Sequence, residues 1–308
     1  MNGLSLAERY FERYGDELLG GEFAPWRERI AVGLAGDGSD CLGFDDEQSR
    51  DHDWGPGFCL WLTEADHAAI GTSLQQAYER LPKSFAGFER STTEWGGDRI
   101  GVLEISAWYK QFLGHPGGPQ TLFDWLRIPE KNLAACTSGQ VFHDPLDEFS
   151  RRRRELLAFY PEDVRLAKIA ARCMSIGQSG QYNFTRALAR GELFAAQYAE
   201  TKFCNDLMSL VYLLNRRYAP YYKWLHRGLL ALPRLLGHAV HARIAALVSA
   251  ANADEKRTHI EVLCALAVAE LQAEGLSDAD SPFLVDHGPL IHRRIDDPAL
   301  RRLSVLIG

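Results

Sequence analysis

The chain has 308 residues, of which 46% are hydrophobic and 24% charged, a composition typical of a globular protein large enough for two cores. A net charge of −7 argues against broad, non-specific nucleic-acid binding, and the most apolar stretch, 229–251, contains a proline, arginines and histidines and is not expected to span a membrane. Six scattered cysteines without a C-x-x-C pair and the lack of a leader pattern predict a cytoplasmic protein with neither a disulfide framework nor a zinc knot.

The charge is divided unevenly between the two halves of the chain. Residues 1–155 hold 16 Lys+Arg and 26 Asp+Glu, whereas residues 156–308 hold 18 and 15. The acidic surplus is densest at 37–66, where nine carboxylates accompany one arginine. An acidic half beside a mildly basic half suits a metal and phosphate site at their junction, although an uneven surface charge without function gives the same pattern.

Helices and strands alternate in the first eighty residues. Apolar residues at helical spacing predict a helix over 5–19, and a capping box predicts another over 63–81. Short apolar runs predict buried strands over 30–35 and 58–62.

Two more strands are predicted at 99–106 and 140–144, with short helices over 107–136 between them. Glu104 lies between apolar residues of the first of these strands, so its side chain is expected on the opposite face from theirs. A buried carboxylate needs a partner, because leaving it unpaired is costly.

The rest of the chain is predicted to be almost entirely helical. The expected spans are 146–159, 161–177, 180–217, 220–230, 234–251, 255–274 and 288–306, separated mainly at glycines and prolines. We therefore expect an α+β chain: a small α/β domain with a mixed sheet in residues 1–150 and an all-α helical bundle in residues 151–308.

The stretch between the first two strands combines glycines with closely spaced carboxylates. Gly38, Ser39 and Gly43 predict a turn that brings backbone N–H groups close to an anion. Asp51 and Asp53, one residue apart, can hold a divalent cation beside that anion. One segment thus predicts both a phosphate cradle and a metal anchor.

This order of residues resembles a known family. Gly-Ser, then Asp-x-Asp, then a glutamate on a later strand is similar to the signature of the polymerase-β-like nucleotidyltransferase superfamily, and an α/β domain before a helical bundle resembles its kanamycin nucleotidyltransferase branch. The longer runs 33–62 and 215–227 resemble a bacterial family catalogued only as a domain of unknown function.

The resemblance implies a nucleotidyltransferase-type α/β domain and an activity. NMP, expected to be AMP from ATP, would be transferred to a hydroxyl of an acceptor bound between the domains, with two Mg²⁺ ions. It implies that Asp51, Asp53 and Glu104 are the metal-binding and catalytic carboxylates and that Glu104 receives the hydroxyl proton. Ser39 and its neighbouring N–H groups would hold the β- and γ-phosphates.

Basic residues of the second half are candidates for a further triphosphate contact. The resemblance implies a lysine from the helical domain, and Lys202 and Lys223 are the candidates, although each is as readily a surface lysine covering apolar groups. Four consecutive arginines at 151–154 could bind phosphate or RNA, but such a run spreads round a helix and favours a solvated linker helix.

Several alternatives stay open. Trp54-Gly-Pro-Gly57 separates the Asp-x-Asp pair from the next apolar run, so a catalytically inactive nucleotide-binding or regulatory module is the main rival. A metal-dependent hydrolase using Asp51, His52 and Asp53 is a weaker one. A small molecule is the expected acceptor, a tRNA end or a protein side chain is an alternative, and the protein is expected to be a monomer or homodimer.

Overall fold

A computed structural model describes residues 1–91, 99–234 and 236–308. It contains two compact units, one formed by Met1–Gln120 with Ile128–Ala158 and the other by Thr121–Arg127 with Phe159–Gly308. The predicted α+β organisation is confirmed, because a mixed sheet lies in the first unit and the second is built from helices. Within the described ranges, no helix is both long and apolar enough to cross a membrane.

A four-stranded mixed sheet organises the first unit. Its strand order is β5-β2-β1-β6; β1 is antiparallel to both neighbours, and β2 is parallel to β5. A separate hairpin, β3 with β4, turns at Gly87, whose φ of +83° suits glycine. The strands are β1 Ala31–Leu34, β2 Cys59–Leu62, β3 Ser84–Phe85, β4 Phe88–Glu89, β5 Gly101–Glu104 and β6 Gln140–His143.

Helices cover both faces of this sheet, which explains the continuous apolar run of β2. On one face, alternate residues of β1 and β2 pack with aromatic and aliphatic residues of the first two helices. On the other face, Trp61 stacks on Phe149 with ring centroids 3.9 Å apart. The helices of this unit are α1 Gly3–Leu18, α2 Glu64–Glu79, α3 Ile105–Leu113, α5 Glu130–Thr137 and α6 Glu148–Leu157, with a 3₁₀ segment at Gly21–Arg29.

The strand predicted over 99–106 is shorter than expected. It ends at Glu104, because the Glu104 carboxylate accepts hydrogen bonds from the N–H groups of Ser106 and Ala107 and caps α3. The strand therefore stops two residues before its predicted end.

Most helices predicted for the second half are present, but two of the long spans are broken. Residues 180–217 form a π-helical segment, a short helix and a long one, interrupted near Gly191, whose φ is +74°. In the span 288–306, helix is found only up to His292 and again at Pro298–Arg301, and between them the Asp163 carboxylate accepts the N–H groups of Asp296 and Asp297. The helices of this unit are α4 Leu122–Arg127, α7 Glu162–Ile176, α8 Thr185–Ala189, α9 Leu193–Leu214, α10 Tyr222–Gly228, α11 Leu236–Ser249, α12 Ala253–Ala273, α13 Leu284–His292 and α14 Pro298–Arg301.

Candidate functional site

The segment Gly36–Gly43, here called the glycine loop, follows β1 directly. Gly36 and Gly43 have φ values of +137° and +71°, which favour glycine. The turn is closed by hydrogen bonds from the N–H of Phe44 to the Ser39 carbonyl at 2.9 Å and from that of Gly43 to the Asp40 carbonyl at 3.0 Å. The predicted turn at Gly38, Ser39 and Gly43 therefore lies at the end of a strand with a defined backbone.

Adjacent N–H groups of the glycine loop are unused. Within residues 1–91, 99–234 and 236–308, no acceptor receives the N–H of Gly38, Ser39 or Asp40. Gly38 and Ser39 are half-buried. Successive N–H groups in a turn form a concave site with partial positive charge, which suits an anion such as a phosphate.

A buried ion pair fixes this loop from behind. The Asp40 carboxylate, whose side chain is 6% exposed, accepts a hydrogen bond from Arg99 Nη2 at 2.8 Å. Arg99 Nη1 donates to the Asp53 carbonyl at 2.5 Å. Burial alone would lower the pKa of Arg99, but the charge and hydrogen bond of Asp40, together with Cys41 and Asp37, raise that pKa overall. Arg99 therefore stays charged and joins the glycine loop to Asp53.

Gly38 has no room for a side chain. A Cβ atom at this position would lie 1.8 Å from Arg99 Nη2 and 2.1 Å from Asp40 Oδ1. A side chain here would collide with the Asp40–Arg99 ion pair, and it would also keep an anion away from the backbone N–H groups.

A second contact holds the loop from the opposite edge of the sheet. The N–H of Gly139 donates to the Cys41 carbonyl at 2.8 Å, and the Ser138 hydroxyl donates to the Gly36 carbonyl at 2.5 Å. Arg153, on α6, donates to the carbonyl oxygens of residues 137–139. The guanidinium of Arg153 thus holds residues 137–139 in place, and two of these residues bind the glycine loop.

The other three arginines of the run 151–154 are also paired within their unit. Arg151 binds Glu155 at 2.8 Å, Arg152 binds Glu148 at 3.2 Å, and Arg154 binds Asp147 at 2.5 Å. These contacts favour the predicted helix over a phosphate or RNA site, but α6 lies within the first unit and is not a linker.

The two predicted metal-binding aspartates lie in the loop before β2. The Asp51 carboxylate is 67% exposed, and its Oδ1 lies 2.6 Å from His52 Nδ1. Asp53 has a φ of +52°, a left-handed conformation that aspartate tolerates better than most residues. His52 therefore lies beside Asp51 as a hydrogen-bonding neighbour, and Asp53 is anchored through its backbone to Arg99.

The turn at residues 54–57 is well packed, and the Arg90 side chain contacts it. Trp54 Nε1 donates to Asp45 Oδ2 at 3.0 Å, and the Trp54 ring contacts Phe88 at 5.2 Å between centroids. Arg90 donates to the Gly55 carbonyl at 3.3 Å, but its buried Nε and Nη2 atoms meet no acceptor in the described part of the chain. Burial lowers the pKa of Arg90. A buried guanidinium with two unused donors adds a second positive group to this region.

Glu104 is not beside the aspartates. It is paired across the sheet with Leu62, at the end of β5 opposite to Arg99 and Gly101. At about 3.3 Å per residue, three steps along the strand separate Glu104 from Gly101 by about 10 Å. Both carboxylate oxygens accept N–H groups at the start of α3, at 2.7 and 2.5 Å. The predicted metal and base roles of Glu104 stay predictions.

Only part of the predicted donor set for Mg²⁺ fits the structure. Asp51 and Asp53 have the oxygen ligands that Mg²⁺ prefers, and the Asp51 carboxylate is open to solvent. Across the described ranges, no three His, Cys, Asp or Glu side chains are grouped so that they could hold a metal ion. Asp51 and Asp53 could therefore hold an ion together with phosphate and water oxygens, without Glu104.

The two candidate lysines lie in the other unit. Lys202 Nζ binds Asp206 Oδ2 at 2.8 Å, one helical turn along α9. Lys223 is exposed, and its Nζ lies 5.4 Å from the centroid of the Trp224 ring. Their predicted contact with a triphosphate stays a prediction.

Thiol chemistry is disfavoured near the glycine loop. Burial raises the pKa of Cys59 to about 12 and raises that of Cys41 well above its ordinary value. Both thiols are therefore protonated at neutral pH and are poor nucleophiles.

Sequence reasoning missed Asp40, Arg99 and Arg153. Asp40 follows Ser39 directly and could have been suspected from its place in a glycine loop. Arg99 lies 59 positions further along the chain than Asp40, and Arg153 is one of four consecutive arginines that no local pattern distinguishes. Their roles depend on tertiary contacts that local patterns do not contain.

The chain is similar to a protein family over part of its length and to a solved structure over most of it. Residues 125–225 match a family described as "Domain of unknown function (DUF4037)", so the predicted resemblance to such a family is confirmed over that stretch. The crystal structure of a nucleotidyltransferase-like protein from Exiguobacterium sibiricum 255-15 is similar at 13% identity and a TM-score of 0.35, over 94% of this chain and 81% of that one. No curated protein matches the chain.

Proposed function

We propose that the chain is a nucleotidyltransferase that binds an NTP, expected to be ATP, at the glycine loop. The main observation behind this proposal is that the N–H groups of Gly38, Ser39 and Asp40 have no acceptor among the described residues. Such a row of N–H groups is an anion cradle, and a nucleoside triphosphate is the anion that accounts best for the neighbouring carboxylates. The resemblance of the Gly-Ser and Asp-x-Asp pattern supports the same conclusion.

The loop is preorganised for this task. The Asp40–Arg99 pair lies beneath the turn at 2.8 Å, and the Gly139 N–H fixes Cys41 from the side. A backbone held in place before the ligand arrives loses little conformational entropy on binding. The N–H groups can therefore hold β- and γ-phosphate oxygens without rearrangement of the loop.

In the proposed reaction, an acceptor hydroxyl oxygen forms a bond to the α-phosphorus. The bond from that phosphorus to the bridging oxygen breaks, and pyrophosphate leaves. Asp51 and Asp53 would hold Mg²⁺, which when bound neutralises charge that develops on the phosphate oxygens. Glu104 is proposed to receive the hydroxyl proton, a role that requires release of its carboxylate from the start of α3.

A small molecule carrying a hydroxyl is the proposed acceptor. The unit with the glycine loop is strongly acidic, and an acidic surface repels polyanions while it attracts polycationic small molecules. This is the same acceptor class that the resemblance implies.

A catalytically inactive nucleotide-binding module is the second candidate. One observation favours it: both oxygens of Glu104 are used as a helix cap. Such a module would bind ATP at the glycine loop but would have no base at the reacting hydroxyl.

Calorimetric titration with ATP and Mg²⁺, followed by pyrophosphate release with a panel of hydroxyl acceptors, tests both functions. Asp53→Asn is expected to abolish pyrophosphate release while the protein stays folded. Asp16→Asn, at an aspartate whose side chain is 81% exposed, is the matched control and should leave release unchanged. Binding without release across the panel would favour the inactive module, and no ATP binding would exclude both.

A further inference from the structure

A long segment of the second unit carries positive charge without any carboxylate. Residues 207–253 contain six Lys and Arg residues and no Asp or Glu. Arg216 and Arg234 are neutralised by glutamates of other helices at 2.8 and 2.6 Å. Lys223 and Arg217 form no ion pair with any carboxylate of the described ranges. Part of this charge is therefore available to an external anion.

Exposed aromatic rings lie at the start of α10, in the same segment. Tyr222 is 72% exposed and Tyr221 is 44% exposed. Their ring centroids are 4.3 Å apart with an interplanar angle of 49°. Aromatic faces next to cations are typical of surfaces that bind nucleobases.

Two cations lie next to Trp224, the second aromatic residue of this helix. Lys223 Nζ lies 5.4 Å from the Trp224 ring centroid, and the guanidinium carbon of Arg227 lies 5.6 Å from it. Lys223 and Arg227 are four residues apart. They therefore lie on one face of α10, beside the half-buried Trp224 ring and next to the two exposed tyrosines at the start of the helix.

The helix that carries these groups is held firmly. Leu225 is buried, and its carbonyl accepts the Tyr212 hydroxyl of α9 at 3.1 Å. His226 Nε2 lies 3.0 Å from the His241 carbonyl of α11. The exposed residues of α10 therefore project from a fixed base and are partly preorganised for binding.

We propose that Tyr221, Tyr222, Lys223, Trp224 and Arg227, here called the α10 surface, bind single-stranded nucleic acid. Unpaired bases stack on the exposed tyrosine rings, and the backbone phosphates lie against Lys223 and Arg227. The charge argument selects a polyanion, and the aromatic faces select one with accessible bases. A duplex keeps its bases stacked inside and offers this surface only phosphates.

This binding is independent of the proposed transferase activity, so it is measured without NTP or Mg²⁺. The probe is a fluorescent oligoadenylate of about twelve nucleotides, in RNA and DNA forms, a length within the usual range of single-strand sites. Tyr222→Ala is expected to weaken binding by about tenfold, the loss of one stacked base. Lys223→Ala is expected to lower the slope of log affinity against log salt by about 0.7.

Matched variants of the same unit serve as controls. Tyr198→Ala removes an aromatic ring that is 63% exposed on α9, and Arg257→Ala removes a positive charge that is paired with Asp254. Both are expected to leave the affinity within a factor of about two.

Three results would overturn the proposal: no binding of either oligonucleotide, binding that Tyr222→Ala leaves unchanged, or equal binding of heparin or of vesicles with anionic lipids. Heparin carries charge without bases, and the vesicles offer phosphate on a lipid surface. Stronger binding of the RNA or the DNA form supports the proposal and identifies the preferred sugar.

Discussion

Arg99 binds the buried carboxylate of Asp40 at 2.8 Å through Nη2, while its Nη1 donates to the carbonyl of Asp53. One guanidinium therefore connects the two halves of the candidate site, the glycine loop and the Asp-x-Asp segment. The Asp40 side chain is only 6% exposed and that of Arg99 20%, so Arg99 neutralises a carboxylate that has little contact with water. The shape of the site thus depends on a residue outside the motif.

Arg99→Met is expected to destabilise the protein by about 3–5 kcal/mol, because it leaves the Asp40 charge buried and unpaired. Asp40→Asn with Arg99→Met should recover part of that loss, since neither charge is then stranded. Urea unfolding of the two variants measures the difference. Arg27→Met, which breaks the exposed pair of Arg27 with Asp16, is the control and should cost less than about 1 kcal/mol. Equal losses for Arg99→Met and Arg27→Met would contradict the structural role of the buried pair.

Gly38→Ala is expected to displace Arg99 and to abolish ATP binding, because its Cβ would lie 1.8 Å from Arg99 Nη2. Gly43→Ala is the comparison. Its φ is +71°, but nothing lies within 4 Å of a Cβ there, so only backbone strain of about 1–2 kcal/mol is expected. Calorimetry with ATP and thermal unfolding separate the two effects. If both variants bind ATP equally well, the cradle does not depend on the Arg99 contact.

The position of the glycine loop is also expected to depend on Arg153. Arg153→Met removes charge-assisted hydrogen bonds to the carbonyls of residues 137–139, which should cost about 1.5–3 kcal/mol and weaken ATP binding. Arg151→Met removes a more exposed arginine of the same helix and should change stability by less than about 0.5 kcal/mol. Urea unfolding and ATP titration of both variants test whether Arg153→Met has the larger effect. Unchanged ATP binding by Arg153→Met would show that the glycine loop does not depend on Arg153.

Local patterns predicted where the strands of the main sheet lie, but not their order. The strands at 30–35, 58–62 and 140–144 were predicted within about two residues, because short apolar runs between turns have few other stable conformations. The hairpin of β3 and β4 was missed, since strands of two residues leave no periodic signal. The break at Gly191 was missed because a single glycine is tolerated inside many helices.

The candidate site was predictable only in its continuous part. Gly38 and Ser39 are adjacent in the chain, and their spacing alone predicts a turn. Arg99 and Arg153 act on that turn from distant elements, so their roles follow from the fold. The helix-cap role of Glu104 was also missed, because the predicted strand continued to residue 106, whereas in the structure Glu104 begins α3; its predicted role in the chemistry stays a prediction.

Stability is expected to fall as the pH decreases from about 8 to about 5.5, with a contribution from His241. Burial lowers the pKa of His241 below its ordinary 6.5, and positive charge on His226 and His238 lowers it further. The unfolded chain therefore binds a proton more readily than the folded one, so stability is lost as the pH falls below about 6.5.

Thermal unfolding across this pH range measures the effect. His241→Phe keeps an aromatic ring against His226, whose centroid lies 4.0 Å away, and should flatten the pH dependence. His115→Gln, at an exposed histidine, should leave the slope as it is. The same slope in wild type and His241→Phe would show that other groups control this range.

Glu104 has two different roles: it is the base in the proposed reaction, and in the structure it caps the start of α3. As a helix cap it needs only oxygen acceptors, and Gln retains one, so Glu104→Gln should change stability by less than the roughly 0.5–2 kcal/mol expected for Glu104→Ala. As a base it needs a carboxylate, and Glu104→Gln should then lower pyrophosphate release by about 10²–10⁴-fold at unchanged ATP affinity. We expect this loss of turnover in a stable Glu104→Gln protein. Full turnover in that variant, together with lower stability of Glu104→Ala, would assign Glu104 to the helix cap alone and require another group to accept the hydroxyl proton.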